Sequence, residues 1–335
     1  MDLPRLLLIA TGGTIAGAAP SADRTQGYRP GAVPVSALVD AVPALRTLAR
    51  IEAEQPFAIG SQHMTGAHHL ALVARIRAAQ ADPGLAGIVV THGTDTLEET
   101  ALLLDLCCPR ELPVVITGAM RPATAIGADG PMNLYAAAAV AVDPAARGAG
   151  AVVLMNDQVF GPDRAAKVHT SRTDACVARD GGPLAALLDG RPHWHVPASE
   201  AAARRPSLRT RLASLPTALP RVDIIAQHVD ADPAIVPFLL SRGARGLVLA
   251  GTGHGTMPDP MREALTAAAA AGCLVIRASR VATGPVTRNA GVDDEAGGFV
   301  PAGWLSPHKA RLVASLALAA GLGRDEVASL IDGFR

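Results

Sequence analysis

The amino-acid sequence predicts an α/β protein of two domains with mainly parallel sheets, the N-terminal domain being the larger. Short runs rich in valine, isoleucine and leucine alternate with longer, alanine-rich runs whose apolar residues recur every three or four positions. A stretch rich in proline, serine and arginine interrupts this alternation once, after which it resumes. Strand–helix alternation favours a parallel sheet covered by helices on both faces. A length of 335 residues is sufficient for two such domains.

In the first half of the chain, short and nearly continuous apolar runs predict buried strands. These runs are LLLIA (6–10), GIVVTHG (87–93), PVVITGA (113–119) and AVVLMND (151–157). The intervening segments 96–107 and 131–143 have apolar residues at helical spacing. We therefore predict an N-terminal catalytic domain over 1–196.

The interrupting stretch has neither strand nor helix periodicity and is predicted to be a linker over 197–221. The alternation resumes in a C-terminal α/β domain over 222–335. Its predicted strands begin at 222, 246 and 273, and its predicted helices cover 233–243, 259–272, 307–321 and 324–332.

Composition excludes several classes of protein. Thirty basic and thirty acidic residues cancel, and no basic run is dense enough to indicate nucleic-acid binding. No apolar run is long enough to span a bilayer, and the N-terminal run is too short for a secretory signal, so we expect a cytoplasmic protein. The four cysteines lack the paired spacing of a zinc site, so we expect reduced, mostly buried thiols and no metal.

The glycine-rich turn ATGGTIAG follows the first predicted strand. A dinucleotide-binding turn needs a glycine where the backbone approaches the pyrophosphate, but Thr14 occupies that position. The phosphate-binding sequence G-K-[ST] is also missing. Ligands of α/β sheets bind at the carboxyl ends of strands, so Thr14 is well placed for chemistry, although a turn threonine is often only a local cap.

A second candidate segment is VVTHGTDTLEETA, in which Thr94 and Asp95 lie between a predicted strand and a helix. Asp95 or Thr96 could simply cap this helix, with a glutamate completing a capping box. Alternatively, the N–H groups at the helix start could stabilise a developing oxyanion. The residues alone leave both alternatives open.

Four further polar residues are candidates. Ser61 and Gln62 follow another predicted strand end and suit hydrogen bonds to a carboxylate. Lys167 is one of only two lysines in an arginine-rich chain, which suggests a role for an amine that can release its proton. Tyr28, one of two tyrosines, lies in a loop flanked by glycine and proline.

Several fragments, taken in order, resemble one family. The fragments are ATGGTIAG, GSQHMTG, VVTHGTDTLEETA, TGAMRPATAIGADGPMNLYAA, VVLMNDQVFGPDRAAKVHT and SRVATGPVTRNAGVDD with SPHKAR. Together they are similar to bacterial type II L-asparaginases and glutaminase-asparaginases, from about residue 6 to residue 315. This resemblance implies an amidohydrolase without metal or organic cofactor, usually a homotetramer whose active sites lie at subunit interfaces.

The resemblance also implies roles for individual residues. The nucleophilic threonine and its tyrosine partner match Thr14 and Tyr28, and a threonine–lysine–aspartate group matches Thr94, Lys167 and Asp95. The substrate carboxylate and amine would be held at Ser61, Gln62 and Asp95, and the carbonyl of Ala119 would face the leaving amide. A threonine hydroxyl needs a base or proton relay to attack an amide, and lysine can provide one as the neutral amine.

This chain departs from the family pattern at three points. Gly291 stands where relatives usually carry a glutamate that contacts the substrate amine across the interface, so Asp95 or Glu295 would have to suffice. His254 stands where asparagine or serine is common, and it is a candidate substrate-binding residue. The cysteine pair that forms a disulfide in some periplasmic members is missing, which agrees with a cytoplasmic location.

The sequence therefore predicts an L-asparaginase that acts through a threonine acyl-enzyme on a small amino-acid amide, with L-glutamine as a possible secondary substrate. The alternative is a non-catalytic amino-acid-binding protein on the same fold. A nucleotide-dependent oxidoreductase, suggested by the glycine-rich segment 250–256, is disfavoured by Thr14 in the fingerprint position.

Overall fold

The computed structural model describes residues 2–334. The chain divides into two compact units, Met1–Ala203 and Arg204–Arg335. The predicted α/β class is confirmed in both units, whereas the linker bounds 197–221 stay a prediction. A short helix, Ala198–Ala203, lies in this segment, for which no helical periodicity was predicted.

The first unit is built on an eight-stranded sheet and a separate two-stranded ribbon. Its strands in chain order are β1 (Arg5–Ala10), β2 (Arg50–Glu54), β3 (Leu85–Thr91), β4 (Val114–Thr117), β5 (Ala151–Met155), β6 (Gln158–Phe160), β7 (Ala165–Lys167), β8 (Cys176–Ala178), β9 (Ala185–Leu188) and β10 (Arg191–Trp194). The large sheet has the order β10-β9-β6-β5-β4-β3-β1-β2, parallel from β2 to β5 and antiparallel beyond β5. Strands β7 and β8 form the antiparallel ribbon.

In the described part of the first unit, all the α-helices but the last connect parallel strands of the large sheet. The helices are α1 (Val35–Asp40), α2 (Leu45–Leu48), α3 (Gly66–Gln80), α4 (Leu97–Cys107), α5 (Gly130–Val142) and α6 (Ala198–Ala203). Helix α5 packs against β3 and β4, and α4 packs against β5. Strands β4 and β5 are buried along their whole length, as expected for central strands covered on both faces.

The strand register brings three chain segments to one edge of this sheet. Ala10 at the end of β1 pairs with Thr91 at the end of β3, and Thr91 also pairs with Thr117 at the end of β4. Because these strands are parallel, the residues that follow them leave the sheet side by side. Thr14, Thr94 and the loop after β4 are therefore neighbours in space.

The second unit contains a four-stranded parallel sheet. Its strands are β11 (Val222–Ala226), β12 (Gly246–Gly251), β13 (Leu274–Ser279) and β14 (Phe299–Pro301), paired in that order. Its helices are α7 (Ile235–Ser241), α8 (Asp259–Ala270), α9 (Asp294–Gly297), α10 (Pro307–Ala319) and α11 (Arg324–Asp332). A buried bidentate ion pair joins Arg277 on β13 to Asp294 on α9, with both N–O distances 2.7 Å.

Several features differ from the sequence expectations. The segment predicted as a strand end at 59–66 contains only a single parallel bridge between Ile59 and Gly12, followed by a 3-10 helix at Ser61–His63.

Cys107 and Cys108 are buried as expected, whereas Cys176 and Cys273 are partly exposed. Burial raises the pKa of the Cys107 thiol to about 12. Within residues 2–334, no helix is long and apolar enough to cross a membrane.

Candidate active site

Two glycines allow the turn after β1 to pack tightly against its neighbours. Gly12 and Gly13 have φ angles of 104° and 78°, which residues other than glycine rarely adopt. A Cβ on Gly13 would lie 2.4 Å from the backbone of Gly93, and a Cβ on Gly12 would lie 2.4 Å from the Ile59 oxygen. The turn therefore requires glycine on steric grounds, and it places Thr14 beside the segment that follows β3.

Thr14 begins a buried 3-10 helix and contacts the hydroxyl of Tyr28. The two oxygens are 2.6 Å apart, and Thr14 is 7% exposed. Tyr28 returns to this position because the loop after Gly17 folds back through a bridge between Ala18 and Arg29. The structure thus joins the predicted nucleophile to its predicted tyrosine partner.

Lys167 contacts both Thr94 and Asp95. Its Nζ donates to Thr94 Oγ1 at 2.9 Å and to Asp95 Oδ1 at 2.6 Å. Strand β7 ends at Lys167, and its pairing with β8 aims the side chain at residues more than seventy positions earlier in the chain. The Lys167 side chain is 24% exposed and that of Asp95 is 57% exposed, so one side of the pair faces solvent.

The polar residues at the start of α4 do not cap the helix. Thr96 occupies the N-cap position, but its side chain makes no capping hydrogen bond. Its hydroxyl instead donates to the Ser61 carbonyl at 3.0 Å, while the Asp95 carboxylate accepts from Lys167. Of the two alternatives for this segment, the side-chain capping explanation is therefore wrong.

Ser61 lies in the same group of residues, directly against Gly93. A Cβ on Gly93 would lie 2.6 Å from Ser61 Oγ. Ser61 is 3% exposed, and its Oγ has no hydrogen-bond partner among residues 2–334. The exposed Gln62 follows, with its amide folded over Gly60. A buried hydroxyl without a partner is costly unless a ligand satisfies it.

The loop after β4 brings Ala119 to the site. A Cβ on Gly118 would lie 2.6 Å from the His92 oxygen and 3.0 Å from Thr94 Cγ2. Ala119 itself is fully buried. A small pocket, with a volume of about 10 Å³, lies alongside and is bounded by the group Thr94, Leu97, Glu98, Met120, Met155, Lys167, Ala175 and Cys176.

A buried hydrogen-bond chain, which sequence reasoning missed, supports the segment after β3. His92 Nδ1 donates to the Gly93 oxygen at 2.8 Å, and His92 Nε2 lies 3.1 Å from the Thr100 hydroxyl. Burial lowers the pKa of His92 to about 4, so its ring is neutral and Nε2 accepts from Thr100. The Thr100 oxygen then accepts from His69 Nε2 at 3.1 Å.

His254 and Gly291 lie in the second unit. His254 Nε2 lies 2.9 Å from the Thr287 hydroxyl and accepts from the Thr287 N–H at 3.0 Å. Gly291 has a φ of 74°, and Glu295 pairs with Arg288 at 3.3 Å. His254 thus holds the loop that leads to Gly291.

Among residues 2–334, no group of three or more His, Cys, Asp or Glu side chains is arranged to hold a metal ion.

Comparison with known families and structures identifies the fold. The chain matches the model "Asparaginase, N-terminal" over residues 5–200 and the model "Glutaminase/Asparaginase C-terminal domain" over residues 221–331. It is 40% identical over 319 residues to L-asparaginase 2 of Escherichia coli K12, which covers 95% of this chain and 90% of the relative. It is 37% identical over 314 residues to the glutaminase-asparaginase of Acinetobacter glutaminasificans, covering 93% of this chain and 94% of the relative.

A solved structure is similar over nearly the whole chain. The crystal structure of a probable cytoplasmic L-asparaginase from Campylobacter jejuni superposes with a TM-score of 0.90 at 36% sequence identity, covering 98% of this chain and 99% of that one. The two family models, the curated relatives and the solved structure thus indicate the same family. The chain belongs to the asparaginase family.

Proposed function

We propose that the protein hydrolyses L-asparagine to L-aspartate and ammonia through a threonine acyl-enzyme, with L-glutamine as a secondary substrate. The observation that carries this proposal is the position of Lys167 Nζ, within hydrogen-bond distance of Thr94 Oγ1 and Asp95 Oδ1. Hydroxyl, amine and carboxylate together form a proton relay, which amide hydrolysis requires.

In the first half-reaction, the Thr14 oxygen attacks the carbon of the side-chain amide. The Tyr28 hydroxyl, 2.6 Å away, shares the proton that Thr14 gives up. The carbon–nitrogen bond then breaks, and ammonia leaves with this proton. The product is an ester between the aspartyl group and Thr14.

In the second half-reaction, water attacks this ester. The Thr94, Lys167 and Asp95 group takes up the water proton and returns one to the Thr14 oxygen as the ester bond breaks. An amine suits this task better than a guanidinium, because a neutral amine can accept a proton and the resulting ammonium can return it. L-Aspartate leaves, and Thr14 is regenerated.

The substrate is held by polar groups around this relay. The Ser61 hydroxyl, buried and without a partner among residues 2–334, is a donor for the α-carboxylate, and Gln62 is a second. The Asp95 carboxylate, partly exposed, attracts the α-ammonium group. The carbonyl of Ala119 accepts from the amide nitrogen, and main-chain N–H groups at the start of α4 stabilise the oxyanion.

Ammonia release from L-asparagine, D-asparagine and L-glutamine tests this proposal. We expect release from L-asparagine, slower release from L-glutamine, and loss of both in the variants Thr14→Ala and Lys167→Met. The alternative of a non-catalytic amino-acid-binding protein predicts binding of L-asparagine, measured by calorimetry, without ammonia. No ammonia from any of the three amides would contradict the proposal.

The assembly and location follow from the same family resemblance. We propose a cytoplasmic homotetramer with active sites at subunit interfaces, and we propose His254 as a substrate-binding residue. Sedimentation of the purified protein tests the assembly: a monomer with full activity would contradict it.

A further inference from the structure

Asp129 and Asn133 at the start of α5 hold the loop that carries Ala119. Asp129 Oδ2 accepts from the Met120 N–H at 2.9 Å, and Asp129 Oδ1 accepts from the Arg121 N–H at 2.9 Å. Asn133 Nδ2 donates to the Gly118 carbonyl at 3.0 Å. The peptide groups on both sides of Ala119 are therefore anchored to one helix.

Ordinary helix capping does not explain Asp129. It occupies the N-cap position of α5, where an aspartate usually accepts from the first N–H groups of its own helix. Its side chain makes no such bond. The carboxylate instead accepts from two N–H groups of a loop eight and nine residues earlier. The helix gives up its side-chain cap, and the loop gains two charge-assisted hydrogen bonds.

The side chain of Asn133 also forms its hydrogen bonds within this region. It is 3% exposed, and its Oδ1 accepts from the Asn156 N–H at 3.1 Å while its Nδ2 binds Gly118. Its Nδ2 also lies 3.3 Å from Asp129 Oδ2. The two side chains thus hold each other in place, and both are hydrogen-bonded to the loop.

The planarity of the peptide bond converts this anchoring into a direction for the Ala119 carbonyl. In a trans peptide, the carbonyl of one residue points opposite to the N–H of the next. Asp129 binds the Met120 N–H, so the Ala119 carbonyl points away from Asp129. Ala119 is fully buried, and no residue within 2–334 donates a hydrogen bond to this oxygen. A buried carbonyl without a donor is costly unless a ligand supplies one.

We infer that Asp129 and Asn133 are positioning residues that aim the Ala119 carbonyl at the carboxamide nitrogen of the substrate. This inference rests on the proposed function and adds the residues that select the leaving group. The substrate NH2 donates to this carbonyl, and it goes on donating as the nitrogen departs as ammonia. An ester has no such N–H, so the contact favours amides over esters of the same acid.

The variant Asp129→Asn tests this inference with two substrates, L-asparagine and the β-methyl ester of L-aspartate. The asparagine side chain introduced at position 129 can accept a hydrogen bond from only one of the two loop N–H groups. Its own NH2 group faces the other N–H, and this repulsion turns the Ala119 peptide. We expect kcat/KM for L-asparagine to fall at least tenfold, while kcat/KM for the ester changes less than twofold. The ratio of the two values is independent of the fraction of folded enzyme.

Asp143→Asn is the matched control. Asp143 lies at the other end of α5, about 20 Å away at 1.5 Å per residue. It also accepts two N–H groups, from the Ala145 backbone at 3.0 Å and from the Trp194 indole at 3.0 Å. We expect this variant to keep the amide-to-ester ratio of the unmodified protein.

A second variant, Asn133→Ala, removes the bond to Gly118 in a position where alanine favours the helix. We expect a smaller fall for L-asparagine, again with the ester unaffected. Equal losses for amide and ester, or an unchanged ratio in Asp129→Asn, would overturn the inference alone. Absence of ammonia release by the unmodified protein would overturn both the inference and the proposed function.

Discussion

Acid should destabilise the first unit through His92. This side chain is fully buried and neutral, with a pKa lowered from 6.5 to about 4 by removal from water. Between these two values the unfolded chain binds a proton at His92 that the folded chain does not. Stability from this group is therefore complete above pH 6.5 and is lost as the pH falls towards 4.

The magnitude follows from the two pKa values. At about 1.4 kcal/mol per pH unit, the interval from 6.5 to about 4 corresponds to roughly 3 kcal/mol of unfolding free energy. Protonation would also place a hydrogen on Nε2, which now accepts from Thr100 at 3.1 Å. The bond to Thr100 would then have to reverse or break.

The assay is urea unfolding between pH 7 and pH 4, followed by the fluorescence of Trp194 in a Trp304→Phe background. The comparison variant is His92→Asn, because asparagine does not titrate and can still donate to the Gly93 carbonyl. We expect the stability advantage of the unmodified chain over this variant to shrink by roughly 3 kcal/mol across this range. Parallel pH profiles for the two proteins would refute the reasoning.

Three further predictions concern the site. Tyr28→Phe removes the hydroxyl 2.6 Å from the predicted nucleophile and should lower kcat about a hundredfold with little change in KM; an unchanged kcat would exclude a role in proton transfer. Gly93→Ala places a Cβ 2.6 Å from Ser61 Oγ and should raise KM for L-asparagine about tenfold. Gly182→Ala, whose new Cβ would have no atom within 4 Å, is the control. Equal KM values for the two variants would contradict the role of Ser61. Lys167→Arg keeps the charge but not the exchangeable amine and should lose activity about as fully as Lys167→Met; retained activity would mean that only the charge matters.

Most of the parallel strands were predictable because their signals are local, whereas the parallel strands β2 and β14 were missed. The strands at 5–10, 85–91, 114–117 and 151–155 are short apolar runs, which is how a strand buried on both faces appears in sequence. The antiparallel strands β6, β9 and β10 were missed, since each has only three or four residues and too few positions to show a period.

The site was predictable only in part from the residues themselves. Thr14 and Thr94 follow strands, so their place at the sheet edge could be inferred. The contact of Lys167 with Asp95 joins residues 72 positions apart, and only the family resemblance indicated it. Asp129 lies in a quoted motif but was not interpreted, because its partners are backbone N–H groups that leave no pattern in the sequence.

The most direct test of the central claim is a rapid-quench experiment with L-asparagine, followed by mass spectrometry of proteolytic peptides. We expect an aspartyl adduct on the peptide that contains Thr14, formed together with the first ammonia released, and no adduct in Thr14→Ala. An adduct on the Thr94 peptide instead, or full ammonia release by Thr14→Ala, would contradict the account.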